Sequence, residues 1–440
     1  MYQRYLMSLS LNYNHFLDRC TMLADLFKEA QKVPRRNISL EELNEASEYL
    51  QATEETSDEL EASLEELEQI EETLEQVRED GKVGETDLFM TNARLKHLGD
   101  LVGYDTSTIS LESHGDDPEM FYQVSMEAVT GIWNRIKQVI VADFQMQWDA
   151  YIRFFSTAEG WAQSQKRRHH KLRQEWKDKK PTLNEQKHLA SLAGSYLPTI
   201  FRVDGRFSKD PLADLTEDSK YATYINMQYP KDLAVYLEKV RSILNSAKTE
   251  TDEQFEKTVL QKLSKLEHPF TVYKGPGVGK GNVLLTNKGL EVWKGRAVKP
   301  VHGDKLYQDL ADLCVKTHVR EYVMTWSNMN SGVLEDFYFT TSDVDKMLDF
   351  ADKYCDFLIS AKTGFVPLQR AFKNLASTVD KVNDIGSLSP VNRKAFKQTL
   401  KFVRGLKRYA KTPYFHEQLR VKNLIPGIRI LASRTIATAK

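Results

Sequence analysis

The chain has 440 residues, 41% hydrophobic and 28% charged, the proportions of a globular protein of two to four domains and not of a disordered or collagen-like one. Its 3 cysteines, Cys20, Cys314 and Cys355, are far apart, which argues against a disulfide framework and a CxxC metal site and for a reducing compartment. The net charge of −1 conceals a split: residues 1–112 hold 25 acidic and 10 basic side chains, net −15, and the remainder holds 37 and 51, net +14. Such asymmetry points to a tail, a pro-segment or a nucleic-acid partner.

Residues 1–31 are rich in Leu, Met and aromatics and are expected to form a helix that Pro34-Arg35-Arg36 ends. Met1 to Leu11 lack the apolar run and small-residue pattern of a signal peptide. No stretch of the chain reaches the length of about 18 apolar residues that spans a bilayer, so stable membrane insertion is not expected. Ser39, with Glu42 three residues on, has the spacing of a capping box. Leu60, Leu64, Leu67, Ile70, Leu74 and Val77 follow at three and four residues and place one apolar stripe on a very acidic helix, compatible with a hairpin or short coiled coil. Gly81 and Gly84 end it, Asp87 to Val102 forms a shorter helix, and Tyr104 to Pro118 is an exposed polar linker.

From Glu119 the pattern changes. Val129, Ile132, Trp133, Ile136, Ile140, Phe144, Trp148, Ile152 and Phe155 recur at the period of a long amphipathic helix. A core role is favoured for this stripe over a membrane-surface one. The helix runs into Lys166-Arg167-Arg168-His169-His170-Lys171 and stops at Pro181. Residues 183–262 alternate helical patterns with polar loops. Phe270-Thr271-Val272-Tyr273, Asn282-Val283-Leu284-Leu285 and Leu290-Glu291-Val292-Trp293 predict a small antiparallel β-meander near residues 270–299. Val344, Met347, Leu348, Ala351, Cys355 and Leu358 form one stripe of a later helix, and Ser389-Pro390 opens another. Residues 390–440 carry 13 Lys or Arg against the single acid Glu417. The fold class is mainly α, helical bundles with that small meander. The expected divisions are 1–112, an acidic helical pro-segment; 113–181, the amphipathic helix with its basic end; 182–303, helical with the meander; and 304–440, helical with a basic C-terminus.

No constellation looks catalytic. Gly275-Pro276-Gly277-Val278-Gly279-Lys280-Gly281 resembles a phosphate loop but breaks GxxxxGK[ST] twice, with Lys274 in place of the first Gly and Gly281 in place of the magnesium-binding Ser or Thr. Strands, not a helix, are expected after it, so a flexible hairpin loop is the better reading. Lys280→Ala is therefore expected to leave stability nearly unchanged; tight ATP binding by the wild-type chain, abolished by this substitution, would overturn that reading. His169 and His170 are adjacent on a helix and point apart, as a metal pair does not. No cofactor is expected. The basic residues Lys166, Arg167, Arg168 and Lys171, with Arg393, Lys394, Lys397, Lys401, Arg404, Lys407 and Arg408, either face solvent or contact phosphates.

Ser110-Leu111-Glu112-Ser113 lies in the linker where the charge balance flips. Small-x-Glu also occurs at Ser39, Ser63 and Ser125, but inside expected helices, and proteases need an accessible, extended backbone. With Ile109 before it, this site resembles those at which the prohead proteases of giant tailed bacteriophages cut. The segment from Met126-Glu127-Ala128-Val129 through Trp133 to Trp148 and Phe155, with its basic end, is similar to their internal head (inner body) proteins. So are Pro269-Phe270, Tyr273-Lys274-Gly275 and Gly281-Asn282. The resemblance spans residues 105–300. It implies a non-enzymatic virion protein, made in the host cytoplasm and packaged inside the capsid. It also implies loss of its acidic propeptide to a prohead protease, and double-stranded DNA and other capsid or inner-body proteins as partners. The alternatives are a coiled-coil structural adaptor and an ejected virion protein that acts on membranes through residues 120–156.

Overall fold

The computed structural model describes residues 38–106, 117–180, 188–190, 200–203, 206–246, 261–266, 269, 273, 275–277, 284–285, 288–292, 317–321, 337–380, 403, 406 and 411–439. The elements are α1 (Leu40–Asp80), α2 (Glu85–Val102), α3 (Pro118–Lys179), β1 (His188–Ala190), β2 (Arg202–Val203), β3 (Arg206–Phe207), α4 (Pro211–Thr223), α5 (Tyr229–Ser246), α6 (Gln261–Ser264), β4 (Lys288–Val292), β5 (Thr317–Glu321), β6 (Phe337–Phe339), α7 (Thr341–Asp380) and α8 (His416–Thr438). π-helical turns at Tyr224–Gln228 and Lys411–Phe415 lead directly into α5 and α8. The class is mainly α, as the periodicities require.

By packing, the chain divides into two compact units. The first contains residues 44–151, that is α1 from Asn44, α2 and the N-terminal half of α3. Leu67, Ile70, Leu74 and Val77 of α1 are all buried, as are Leu95, Leu98 and Val102 of α2 and Phe121, Ala128, Val129, Ile132, Trp133 and Ile136 of α3. The described part of the heptad-like stripe of α1, from Leu67 to Val77, is thus buried, and the side chains of Leu60 and Leu64 lie outside the described residues. Specific bonds fix the helices against one another. The Trp133 indole N–H donates to Glu71 Oε1 at 2.8 Å, and Arg135 Nε donates to the Val102 carbonyl at 3.1 Å. Arg78 pairs with Glu119 at 3.0 Å and lies 4.7 Å above the Tyr122 ring. Tyr104 presses its ring on Gly131, where a Cβ would lie 2.2 Å from the aromatic carbon. Only glycine lets the ring approach the helix backbone so closely.

The second unit contains residues 37–43, 152–378 and 394–440. Its capping box is present: Ser39 N–H donates to Glu42 Oε2 at 2.8 Å and Glu42 N–H to Ser39 Oγ at 3.1 Å. Asp210 caps α4 by accepting from the N–H groups of Leu212 and Ala213, with Pro211 at the first turn, where its missing N–H costs nothing. All six residues of the Val344–Leu358 stripe of α7 are buried. An aromatic cluster ties α3, α7 and the turn before α8. Phe154 meets Phe415 at 5.0 Å, Phe155 meets Phe365 at 4.9 Å, and Tyr414 donates to the Ala361 carbonyl at 2.6 Å. Val129, Ile132, Trp133, Ile136, Trp148 and Phe155 of the α3 stripe are buried, which is the core role favoured for it. No described helix is long and apolar enough to cross a membrane.

The β structure departs from the expected meander. The third run does form a strand, β4, but it pairs antiparallel with β5, Lys288 opposite Glu321. Of the second run, Leu284 forms a single β-bridge and Leu284 and Leu285 are both buried, while Asn282 and Val283, like Phe270 to Val272 of the first run, lie outside the described residues. Tyr273 is not in a strand; its ring stacks on Tyr224 at 3.9 Å. Gly277 has φ +79°, and a Cβ on it would lie 2.5 Å from Leu284 and 2.7 Å from Tyr221. At this point the glycine-rich stretch is a packed turn, not a free loop. The other pairings are β2 with β3 and β1 with β6, which joins His188 to Phe339 across the sequence.

Candidate nucleic-acid interface

The basic end of α3 presents two faces. Lys166, His169, Arg173, Trp176 and Lys180 recur at three and four residues, so they share one side of the helix. They meet Asp356, Asp352, Asp349 and Asp345 of α7, whose numbers fall as those on α3 rise, the order of two antiparallel helices. Lys166 Nζ donates to Asp356 at 2.8 Å, and His169 Nδ1 lies 2.9 Å from Asp352. Arg173 donates to Asp349 at 2.8 Å and to Asp352 at 3.0 Å. The Trp176 indole and Lys180 both donate to Asp345, at 3.1 and 2.6 Å. Burial pushes the Asp352 carboxyl up, but its bonds to His169 and Arg173 outweigh this and hold it below the usual carboxylate range. This ladder fixes the register of α3 on α7.

The opposite face carries Arg167, Arg168, His170 and Lys171, all exposed. His169 is buried and His170 exposed, since neighbouring side chains on a helix point in different directions. Of the four basic candidates on α3, Lys166 is thus engaged with Asp356, and Arg167, Arg168 and Lys171 face outward. Arg393, Lys394, Lys397, Lys401, Arg404, Lys407 and Arg408 lie outside the described residues. So do Ser110, Leu111, Glu112 and Ser113. Their flanks are described. The C-terminus of α2 closes at Gly103, φ +69°. Asp117 opens α3 by accepting from the N–H groups of Glu119 and Met120 at 3.1 and 3.2 Å. Small-x-Glu at Ser110 therefore lies on a connection between two capped helix ends.

Sequence reasoning missed a buried ion cluster. Asp218, Glu417 and Arg420 are each no more than 3% exposed. Arg420 forks onto Glu417 with two bonds of 2.7 Å. It also donates to both oxygens of Asp218, one bond measuring 3.0 Å. Tyr354 donates its hydroxyl to Asp218, and the Tyr221 ring lies 5.8 Å from the guanidinium. Burial works against the Arg420 charge, but the two carboxylates outweigh it and raise its pKa. Burial drives both phenols well above their ordinary range, so Tyr354 stays a donor. Beside the cluster, Gln418 donates to Asn226, which itself donates to the Ala222 carbonyl at 2.7 Å. The one signal was the i, i+3 spacing of Glu417 and Arg420. Four of the five guanidinium N–H donors are thus spent on the two carboxylates, and the buried side chain holds α4 and α8 together, with Tyr354 of α7 joined through Asp218. Cys355 is buried on α7 and its thiol is pushed far up, which leaves it inert.

Among the described residues no cluster of three or more His, Cys, Asp or Glu could hold a metal ion. A family model described as phiKZ-like phage internal head proteins matches residues 40–416. No curated protein and no solved structure matches.

Proposed function

This chain belongs to the phiKZ-like phage internal head proteins, and we propose that it is a structural protein of the head interior, cut after Glu112 and held on packaged DNA by its basic body. The observation that carries the reading is the change of charge at the cut, from net −15 before it to net +14 after it. The connection between α2 and α3 supports the position, since a protease reads extended chain more readily than a packed helix. The outward face of α3, on which Arg167, Arg168 and Lys171 are exposed, suits phosphate contact. The acidic segment weakens DNA attachment until it leaves, because its charge opposes that of the body.

DNA binding by such a face is electrostatic and independent of sequence. Filter binding with linear duplex DNA at two salt concentrations should give a log–log slope of about −0.9 per neutralised phosphate. The chain recovered from mature particles should bind more tightly than the uncut chain. The triple substitution Arg167→Ala, Arg168→Ala, Lys171→Ala should flatten the slope by up to about 3 units. Equal affinity of the chain from mature particles and the uncut chain, or a salt-independent constant, would remove the support for this reading.

A further inference from the structure

The acidic segment is more than a charged tail. Its helices α1 and α2 bury seven apolar side chains in the first unit, from Leu67 to Val102, and α3 buries six between Phe121 and Ile136. Tyr104 fits the bare backbone of Gly131, Glu71 accepts the Trp133 indole N–H, and the Val102 carbonyl accepts from Arg135. Each of these groups on the segment precedes residue 107. None depends on the connection between α2 and α3.

We propose that the N-terminal half of α3 is a docking face whose occupant is the hairpin α1–α2, and that the hairpin stays seated after the connection is cut. The setting rests on the processing reading above; the docking itself does not. Hydrolysis of one peptide bond adds one water and leaves a carboxylate and an amine on the connection. No group on the face changes. What the cut removes is the effective concentration of a tethered partner, in the millimolar range for a short connection. A pair of surfaces that buries Trp133, Ile132 and Leu74 almost completely binds far below that concentration, because buried aromatic and aliphatic anchors carry most interface energy. The chemistry that fits the face follows from its contacts. It takes an apolar stripe at helical spacing, a carboxylate for the Trp133 indole, and the carbonyl at a helix C-terminus for Arg135. Maturation then has two separable events. The first cut frees the new N-terminus at Ser113, and a second cut within the hairpin, destroying its stripe, releases the acidic charge.

The test places a recognition sequence for a specific protease within residues 107–116 of the full chain, cuts it completely and runs the product on a sizing column at micromolar concentration. The two pieces should travel together as one species. Separate elution of the acidic piece from a folded body would overturn the proposal. Leu74→Asp in the same chain puts a charge into the stripe and should let the cut pieces part; co-elution of that variant's pieces would show that the face is not what holds them. Because the cut is made in vitro, absence of a Ser113 terminus in mature particles would count against processing alone.

Discussion

Arg420→Met should destabilise the second unit by about 3–5 kcal/mol, the usual cost of stranding buried charges by removing their partner. Asp218 and Glu417 would lose the Arg420 guanidinium, at positions no more than 3% exposed. In a unit of this size the melting midpoint followed by circular dichroism should fall by roughly 10 °C. Replacing Asp218 and Glu417 by Asn and Gln in the same chain should recover part of it at neutral pH, since a neutral amide costs less to bury than a charge. A midpoint within about 2 °C of wild type, the range of a neutral surface change, would show that the cluster is not a stabilising lock.

Glu112→Gln should leave the chain essentially uncut in particles, where the wild type should carry an N-terminus at Ser113. The substitution removes the charge a small-x-Glu protease reads and keeps the shape of the side chain. It lies on the connection between α2 and α3, outside both helices, and the thermal midpoint should not move. Mass spectrometry decides the matter. An abundant intact wild-type chain, or an N-terminus at Ser113 in the variant, would remove Glu112 as the determinant. The ratio of peptides from residues 41–80 to those from 130–160 then reports the second event, the departure of the hairpin, independently of the first.

The helices were legible because their signals are local. Ser39 and Glu42 announce a cap within four residues, and the Val344–Leu358 stripe announces its own buried face. Charge was legible only as a sum. The run from Lys166 reads as one basic patch, yet helical geometry turns Lys166, His169 and Arg173 towards α7 and Arg167, Arg168 and Lys171 away from it. Likewise Arg420 counts among the basic residues of the C-terminus, and Glu417 as its stray acid, although together they form one buried unit with Asp218. The partners of β1 and β4 were not legible either. A three-residue strand such as His188–Ala190 carries too little pattern to specify a partner at Phe337–Phe339, and such pairings are set by the helices that bring them together.

The cluster at Arg420 also sets an order of events during synthesis. Asp218 and Arg420 are separated by 202 residues, so a ribosome working at about 5–20 residues per second finishes the first roughly 10–40 s before the second. Throughout that interval Asp218 has no counter-ion in the place where it will be buried. α4 can form on its own local cap at Asp210, but closing it against α7 would strand a carboxylate. The second unit therefore locks from its C-terminus, and a chain that stops short of α8 stays open at the place where its three helices would have met.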